Sequence, residues 1–412
     1  MSEPDTLRDM EFLLTSAGQE ALAGHWPADP LAAVVQMRKT LEPWQASVVM
    51  TLRAIRSRAR SSPRTARFPD WLIEGMVADE ALSQQASSYR IGAYKAGRLA
   101  ELGAGSVVDL CCGMGVDSIA LARRSLQVSA VDIDPAALLA TRHHAALAEV
   151  ADRLRTCCAD AGEFDSTGAW LHIDPQRRSG GRRGFDPHQY RPDLQTVQRI
   201  AAASLGGVVK LAPGDAAEAM QGWPVETAWQ HVSEAGVCKQ LLGWWSAATG
   251  SLPARSAVVV AGPIEQPTSE LLAISNQPAA AGPVGRLLFE PDPAVTAAGG
   301  IDSLARKFDL HRPWPEVFLL SGDRPIETAL AAGFEVLAQC PGREKDLARQ
   351  LKGLDAGLVE IKPVGLQLDT DRLQRKFRGS GRRRVAVFWI RIGRSQQCCL
   401  CHRLGPHGHR SS

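Results

Sequence analysis

The turn that decides the fold lies in the segment Val107-Val108-Asp109-Leu110-Cys111-Cys112-Gly113-Met114-Gly115-Val116-Asp117. An apolar run ends in an acidic residue and passes into a turn with two glycines, and the residues that follow suit a helix. Glycine has no Cβ, so a ligand can approach the backbone of such a turn closely. The segment therefore predicts a strand, a ligand-binding turn and a helix. It lacks a third glycine, so the dinucleotide-binding fingerprint is incomplete.

Acidic residues also end the predicted strands that follow. Asp132 lies 19 positions after Gly113, the offset at which an acid can hold the ribose hydroxyls of an adenosine group. Asp134 and Pro135 then suit the N-cap and first turn of a helix. Asp160 ends the third strand region, where it can face an adenine amino group. NAD is the competing ligand, and the missing third glycine counts against it.

Short apolar runs alternate with helical stretches over residues 101–262, which predicts a parallel sheet covered on both faces and a Rossmann-like α/β domain. The predicted strands are Val107–Leu110, Val128–Val131, Leu171–Ile173, Val208–Leu211 and Val258–Val260. Residues 1–100 have apolar residues at helical spacing and predict a helical N-terminal region.

A second α/β domain is predicted over residues 285–394. Its predicted strands are Arg286–Phe289, Val317–Leu320, Phe334–Ala338, Leu358–Lys362 and Val385–Ile392. Residues 263–284 are rich in Pro, Ala and Gly and predict a linker. Residues 395–412 contain Cys, His, Gly and Ser and predict a flexible tail.

The composition of the 412 residues is that of folded domains, because 45% of them are hydrophobic. No apolar run reaches the ~18 residues that span a bilayer, and the polar, acidic first residues do not resemble a secretory signal. The nine cysteines include adjacent pairs and an odd member, a pattern typical of reduced thiols. We therefore expect a cytoplasmic protein with no membrane partner.

Basic residues are clustered, although the net charge is only +3. The first group is Arg53, Arg56, Arg58, Arg60, Arg64 and Arg67. The second group is Arg177, Arg178, Arg182, Arg183 and Arg191. The third group is Arg372, Arg375, Lys376, Arg378, Arg382, Arg383 and Arg384. Each group predicts a local basic patch, which can bind phosphate groups or simply face solvent.

Residues 105–215 resemble the class I methyltransferase family, including its D-x-x-x-G-x-G loop. The resemblance implies S-adenosylmethionine as cofactor, with Asp109, Gly113 and Gly115 along its methionine side. It places Asp132 at the ribose and Asp160 at the adenine. The remaining cofactor contacts expected from it are Gln85, Cys111, Asp117, Ile133 and Ala161.

The candidate reaction site follows the fourth strand, in Asp174-Pro175-Gln176-Arg177. Nucleic-acid methyltransferases carry D/N-P-P-Y/F here, where the acid and a carbonyl hold an amino group and the aromatic residue stacks on a flipped base. This chain has Gln176 and Arg177 in place of the second proline and the aromatic residue. Asp174 is the candidate for positioning the acceptor and taking its proton, with Pro175 and Arg177 beside it. Methylation through a cysteine nucleophile is less well supported, because Cys111 belongs to the cofactor loop.

Candidate substrate contacts surround this segment. Arg178, Arg182 and Arg183 lie in or beside a glycine-containing basic stretch and can bind phosphate, unless the stretch is a solvated loop. Lys210, at the end of the next strand, can contact phosphate or extend its charged end to solvent. The missing stacking surface could come from Phe185 or Tyr190.

The flanking regions resemble a bacterial methyltransferase family with a C-terminal THUMP-like domain. The matching segments are Asp174–Arg178, Lys210–Gly214, Gln85–Ser87, Leu288–Ala294 and Leu358–Lys362. The resemblance covers roughly residues 30–394 and implies RNA, either tRNA or rRNA, as the substrate. The alternatives are a protein or small-molecule methyltransferase, and a non-catalytic RNA-binding protein that keeps the fold.

The end of the chain carries thiol and imidazole groups that could ligate zinc. They are Cys398, Cys399, Cys401, His402, His407 and His409. Their spacing does not match two C-x-x-C pairs, so we predict no obligate metal.

Overall fold

Seven helices precede the first strand in the part of the chain that the computed structural model describes, residues 3–60, 67–177, 189–215, 220–246 and 252–405. They are α1 Glu3–Leu14, α2 Ser16–Ala23, α3 Pro30–Met37, α4 Pro43–Arg60, α5 Asp70–Gly75, α6 Glu80–Gln85 and α7 Tyr89–Glu101. The side chains of Thr15, Asp29 and Asp79 cap three of them by accepting hydrogen bonds from first-turn amides. None of the described helices is long and apolar enough to cross a membrane.

The sheet of the cofactor region begins at the quoted segment. Its elements and those that follow are β1 Ser106–Leu110, α8 Val116–Arg123, β2 Gln127–Asp132, α9 Pro135–Leu147, β3 Leu154–Cys158, β4 Trp170–Ile173, β5 Gln176–Arg177, β6 Tyr190–Arg191, α10 Leu194–Ala202, β7 Gly206–Leu211, β8 Ala228–Glu234, β9 Val237–Ser246, β10 Arg255–Ala261 and β11 Thr268–Ala273. Strands β3, β2, β1, β4 and β7 lie side by side in that order and are parallel. The predicted α/β class is confirmed.

The prediction of an entirely parallel sheet is wrong beyond β7. Strand β9 pairs with β7 in the antiparallel direction, with Leu211 opposite Leu241. The sequence analysis missed both β8 and β9, which are joined through Ala235 and Gly236. Both turn residues have positive φ, +52° and +74°, as two-residue hairpin turns require. A hairpin needs no crossover helix, so it can add an antiparallel strand to a parallel sheet.

The chain divides into two compact units whose limits differ from the predicted domain boundaries. The first unit is Met1–Gln230, Lys239–Ala254 and Val260–Ser269, and the second is His231–Cys238, Arg255–Val259 and Glu270–Ser412. Strands β8 to β11 each contribute residues to both units. The linker predicted at residues 263–284 is therefore corrected, because β11 lies inside it.

The second unit contains a six-stranded sheet. Its elements are β12 Leu287–Pro291, α11 Pro293–Ala297, α12 Ile301–Lys307, β13 Leu320–Gly322, β14 Ala331–Pro341, α13 Glu344–Gly353, β15 Ala356–Val364, α14 Thr370–Phe377, β16 Arg383–Ile392 and β17 Ser395–Arg403. The strand order is β13-β12-β14-β17-β16-β15, and β15 and β16 are the parallel pair. The strand predicted at 317–320 lies slightly later in the chain, as β13.

The flexible tail predicted from residue 395 is wrong for Ser395–Arg403. These residues form β17, which hydrogen-bonds to β14 on one side and β16 on the other. Cys398 and Leu400 are buried on one face of the sheet, and Cys399 and Cys401 on the other. Apolar side chains on both faces are typical of a central strand, and the cysteines supply part of that apolar surface.

Candidate functional site

A cavity of about 290 Å³ opens where β1, β4 and β7 end. The carboxyl ends of parallel strands share one edge of the sheet, so the loops after these strands meet there. The predicted site residues that line the cavity are Gln85, Asp109, Cys111, Gly113, Asp117, Asp174, Pro175, Arg177 and Lys210. Residues from the predicted cofactor loop and from the predicted reaction segment therefore share one cavity.

The two glycines of the turn have different functions. Gly115 has a φ of +81°, and a Cβ there would lie 2.7 Å from Thr141 Cγ2, so this position must remain small. Gly113 has a φ of +55°, and a Cβ there would meet no atom within 4 Å. The open space beside Gly113 fits a ligand that lies against the backbone, while Gly115 allows the loop to pack on α9.

Hydrogen bonds hold the loop in place. The Gly113 amide donates to Asp132 Oδ2 (2.8 Å), and the Thr141 hydroxyl donates to the Gly113 carbonyl (2.9 Å). His144 is fully buried, and its Nδ1 lies 2.9 Å from the Met114 carbonyl. Helix α9 and the end of β2 thus fix the backbone that faces the cavity.

Four predicted cofactor residues lie at or just after the ends of β2 and β3, outside the cavity lining. Asp132 is buried, and its two carboxylate oxygens accept from the amides of Gly113 and Asp134. Burial raises the pKa of Asp132, and these backbone hydrogen bonds partly oppose that rise. Ile133 is 67% exposed, which is unusual for isoleucine and suits stacking under a flat ring. Asp160 is exposed and accepts from the Gly162 amide (2.7 Å), whereas the neighbouring Ala161 is buried in the core.

Beneath the cavity lies a buried polar network that the sequence analysis only partly predicted. Asp109 Oδ1 is 2.6 Å from His172 Nδ1, and its Oδ2 accepts from the Ser118 hydroxyl. His172 Nε2 is 2.7 Å from Lys95 Nζ, which also forms an ion pair with Asp117 (2.9 Å). Asp109 therefore orients His172, in addition to lining the cavity. We name Lys95, Asp109, Asp117 and His172 the floor network.

A weak signal for the floor network does exist in the sequence. Lys95 lies on the apolar stripe of α7, four residues after Ile91 and four before Leu99, where a charged residue is out of pattern. His172 interrupts a buried strand between Leu171 and Ile173. Each signal is ambiguous alone, because the partners are 77 residues apart in the chain.

Asp174 lies on the cavity wall just after β4. Lys210 Nζ contacts Asp174 Oδ2 at 2.6 Å and the Ser87 hydroxyl at 3.1 Å. Gln240, itself buried, donates to the same hydroxyl at 3.4 Å. Lys210 thus forms an ion pair with the candidate catalytic carboxylate, and its contact with substrate phosphate stays a prediction. No hydrogen bond or ion pair to Asp174 Oδ1 occurs within the described ranges.

The segment after Asp174 forms a short two-stranded ribbon, in which β5 pairs with β6 and Arg177 lies opposite Tyr190. Arg177 is exposed at the cavity, and Gln176 donates to Gln85 (3.2 Å). Tyr190 also lines the cavity but is buried, and its hydroxyl accepts from the Ala212 amide. The other candidates in this region lie outside the described residues: Arg178, Arg182, Arg183 and Phe185.

The cysteines of the loop are poor nucleophiles. Burial raises the pKa of Cys111, and the carboxylates of Asp132 and Asp174 raise it further. Burial also raises the pKa of Cys112, with Asp109 adding to the effect. A nucleophilic cysteine must ionise, so these thiols do not support a covalent cysteine mechanism.

The C-terminal cysteines do not converge on one point. Cys398 is on the opposite face of β17 from Cys399 and Cys401, and burial raises the pKa of all three thiols. A tetrahedral zinc site needs its thiolates on one side of the strand. His407 and His409 lie outside the described residues.

The chain resembles known proteins in both units. A family model for a methyltransferase domain matches residues 107–171, and one described as THUMP domain-like matches residues 331–403. Uncharacterized S-adenosylmethionine-dependent methyltransferases from two Mycobacterium tuberculosis strains, CDC 1551 and H37Rv, are each 34% identical over 323 residues, which is 77% of this chain and 85% of theirs. A Porphyromonas gingivalis W83 crystal structure assigned to the methyltransferases covers 98% of this chain and all of its own, with a TM-score of 0.69 at 17% identity. That structure shares the fold.

Proposed function

Because the chain belongs to the family of S-adenosylmethionine-dependent methyltransferases, we propose that it methylates a base in RNA, with tRNA and rRNA as the candidate classes. S-adenosylmethionine is the cofactor, and when bound it supplies an electrophilic methyl group on a sulfonium ion. The residues that would hold it are Gly113, with the open space beside its backbone, Asp132 and the exposed Ile133.

Asp174 is the residue that would position the acceptor. Its carboxylate lies on the cavity wall, with Oδ2 held by Lys210 at 2.6 Å. The other oxygen is available to accept a hydrogen bond from an amino group of the acceptor. Such a bond orients the nitrogen lone pair and provides a place for the proton that leaves after transfer. Lys210 fixes the carboxylate but does not fill both of its oxygens.

The observation that carries the RNA proposal is a run of exposed basic residues from α14 to the start of β16 within the THUMP-like region, which we call the basic face. Leu373 and Phe377 are buried one helical turn apart, so α14 turns its other side to solvent. The exposed residues of this basic face are Arg372, Arg375, Lys376, Arg378, Arg382, Arg383 and Arg384. Clustered cations of this kind bind nucleic acid by displacing counterions from phosphates. A protein or small-molecule acceptor gives no comparable reason for the face.

The test is transfer of radiolabelled methyl groups to total RNA from a strain that lacks the gene. The proposal predicts incorporation into that RNA and little into wild-type RNA, which is already modified. Digestion to nucleosides and mass spectrometry then identify the base. Incorporation into protein or small molecules instead, or none into any fraction, would contradict the proposal.

A variant pair tests the site itself. Asp174→Ala should lower the rate by a factor of about 100 or more, the usual range for loss of a positioned acid–base group. Asp152→Ala is the matched control, since Asp152 is exposed and does not line the cavity. Full activity of the Asp174→Ala enzyme would show that the reaction site has been assigned to the wrong residue.

A further inference from the structure

The loop between α14 and β16, residues 378–382, packs its backbone directly on the start of β15. A Cβ on Gly379 would collide with the carbonyl of Ala356, and a Cβ on Gly381 would collide with the carbonyl of Asp355. Both obstacles are backbone atoms, which cannot swing aside as the end of a long side chain can. Glycine is therefore required at both positions for the loop to lie this close to β15.

Hydrogen bonds fix the loop at both ends. The Gly379 amide donates to the Gly357 carbonyl at 2.9 Å, and the Arg383 amide donates to the Asp355 carbonyl at 3.1 Å. Just before the second of these bonds, the Arg382 amide donates to Asp355 Oδ2 at 3.4 Å. The contacts with β15 thus set the shape of the loop before any ligand arrives.

The middle of the loop has hydrogen-bond donors that the protein does not use. Within the described part of the chain, the consecutive amides of Ser380 and Gly381 have no acceptor, and the Ser380 hydroxyl has no partner. The flanking Arg378 and Arg382 are exposed, and their guanidinium groups form no hydrogen bond or ion pair with described residues. Two positive charges and a set of main-chain donors therefore surround one short stretch of backbone.

A phosphate group suits these donors. It carries negative charge, and its several oxygens can accept hydrogen bonds at the same time from main-chain amides and from arginine. The carboxylate that contacts the loop does not take this place, because Asp355 Oδ2 accepts from the Arg382 amide and leaves the amides of Ser380 and Gly381 open.

We propose that residues 378–382 form a phosphate-binding loop, which holds one phosphate group of the RNA in a fixed position. The amides of Ser380 and Gly381 bind its oxygens, and Arg378 and Arg382 pair with its charge. The group is either a terminal phosphomonoester or a phosphodiester of the chain. The inference rests on the proposed RNA function for the source of the phosphate. It adds that binding depends on the shape of this backbone as well as on the charge of the basic face.

A substitution that keeps every charge tests the phosphate-binding loop. Gly381→Ala places a methyl group against the Asp355 carbonyl and displaces the loop from β15. We expect a labelled oligouridylate to bind the full-length variant about 10-fold more weakly than wild type, the effect of losing one charge-assisted hydrogen bond. Gly353→Ala is the matched control, because a Cβ at this exposed glycine meets no atom within 4 Å. Wild-type affinity in folded Gly381→Ala protein would overturn the proposal.

A measurement on the wild-type protein keeps the proposal testable even where Gly381→Ala fails to fold. Sodium chloride is replaced by sodium phosphate at equal ionic strength, and the affinity for the same oligouridylate is measured again. Screening of diffuse charge is the same in both salts, so competition for the loop should weaken RNA binding by a factor of about 3 or more. Equal affinities in the two salts would overturn the phosphate-binding loop.

Two forms of the oligouridylate identify the source of the phosphate. Tighter binding of the 5′-phosphorylated form than of the 5′-hydroxyl form assigns the loop to a terminal phosphomonoester. Equal binding of the two forms that Gly381→Ala weakens equally assigns it to a phosphodiester. If wild-type protein bound no RNA at all, the RNA function itself would be wrong. If wild-type protein bound RNA and Gly381→Ala left that binding intact, only the phosphate-binding loop would be wrong.

Discussion

Two arginine-rich segments of this chain look alike in sequence and end in opposite environments. In residues 53–67, Arg53 donates to the carbonyls of Leu22 and Gly24, and Arg56 donates twice to the Met76 carbonyl. In residues 372–384, the basic side chains are exposed and form the basic face. The first segment joins helices together, so its prediction as a surface patch is wrong for these arginines.

The two segments differ in the apolar residues that lie between their charged residues. Helix α4 buries Val49, Leu52 and Ile55, and Arg53 and Arg56 each follow one of these buried positions by a single residue. Their aliphatic stems therefore lie along the edge of the buried stripe, and their guanidinium groups reach carbonyls. Helix α14 buries only Leu373 and Phe377. Arg378 also follows a buried residue, Phe377, by one position, and yet it is exposed. Neither charge density nor spacing from the apolar stripe predicts exposure; the difference is that carbonyls of other segments lie within reach of Arg53 and Arg56.

The first segment is also connected to the cofactor loop through one peptide group. Arg56 donates to the Met76 carbonyl, and the amide of the same peptide, that of Val77, donates to His144 Nε2 at 2.9 Å. With Nε2 accepting, His144 Nδ1 donates to the Met114 carbonyl in the loop. A half-buried arginine thus supports the turn that faces the cavity. Within the described part of the chain, the exposed side chains of Arg382, Arg383 and Arg384 form no such bond to a carbonyl.

The largest effect is expected from protonating His144 at the end of this connection. Burial lowers the pKa of His144 to about 4, against a usual value near 6.5. Above pH 6.5 the His144 imidazole is neutral in both the folded and the unfolded state. As the pH falls, His144 takes up its proton in the unfolded state first. Folding should therefore lose about 3 kcal/mol between pH 6.5 and 4, at about 1.4 kcal/mol per pKa unit.

Denaturant unfolding at a series of pH values measures this loss. His144→Gln removes the share of this histidine and should reduce the slope over that window relative to wild type, while His231, whose pKa burial also lowers to about 4, keeps its own share. His143→Gln is the matched control on the same helix, and it should keep most of the slope. Wild-type stability that is constant from pH 6.5 to 4 would show that His144 is not held neutral.

The next largest effect is the loss of stability expected when Arg56 is replaced. Burial lowers the pKa of Arg56 to about 10, so the group stays protonated at neutral pH and keeps both hydrogen bonds. Arg56→Met keeps much of the stem and should cost about 2 kcal/mol, because charged hydrogen bonds to a buried carbonyl are worth that much. Arg60→Met, on the exposed end of α4, should change the unfolding midpoint very little. Equal unfolding midpoints for the two variants would show that Arg56 contributes no more to stability than a surface arginine.

The sequence predicted the parts of the fold that local patterns determine. Strands β1, β2, β4 and β7 follow from short apolar runs, and the loop from two glycines with the acid Asp132 at a fixed offset. The sequence did not show β9 or β17. Buried cysteines and tryptophans, such as Cys399 and Trp244, carry no period that distinguishes a central strand from a tail or a loop.

The site was predictable at its rim and not at its floor. Asp174 and Gly113 were found because each belongs to a short motif with known chemistry. The ion pairs Lys95–Asp117 and Lys210–Asp174 link distant segments, and only folding brings them together. The pairing of Lys210 with Asp174 was not predictable for the same reason, since Asp174 lies 36 residues earlier in the chain.

Removing charge from the basic face tests the role of the exposed segment, residues 372–384. Replacing Arg382, Arg383 and Arg384 together by alanine should weaken RNA binding about 10-fold or more at low salt and reduce the slope of log affinity against log salt by about 2 for single-stranded RNA. Stability should not change, in contrast to Arg56→Met. Alanine at Arg38, Lys39 and Arg60 removes the same charge and should leave the affinity nearly intact; all three are exposed, the first two just after α3 and the third at the end of α4. Equal losses for both triple variants would show that net charge matters and the basic face does not.

The smallest expected effect is a gain in RNA affinity, in contrast to the loss expected for the arginine variants. Glu344 on α13 pairs with Lys376 and lies 3.6 Å from Arg372, so it neutralises part of the basic face. Exposed pairs contribute little to stability, and Glu344→Gln should leave the unfolding midpoint unchanged. It should strengthen RNA binding about twofold at low salt, because two cations become available to phosphates. Asp309→Asn removes an exposed carboxylate at a positive φ that asparagine tolerates, and it controls for net charge. Glu344→Gln could instead weaken RNA binding while Asp309→Asn has no effect. That result would show that the ion pairs with Glu344 position Arg372 and Lys376 for RNA, and that their geometry matters more than the net charge of the basic face.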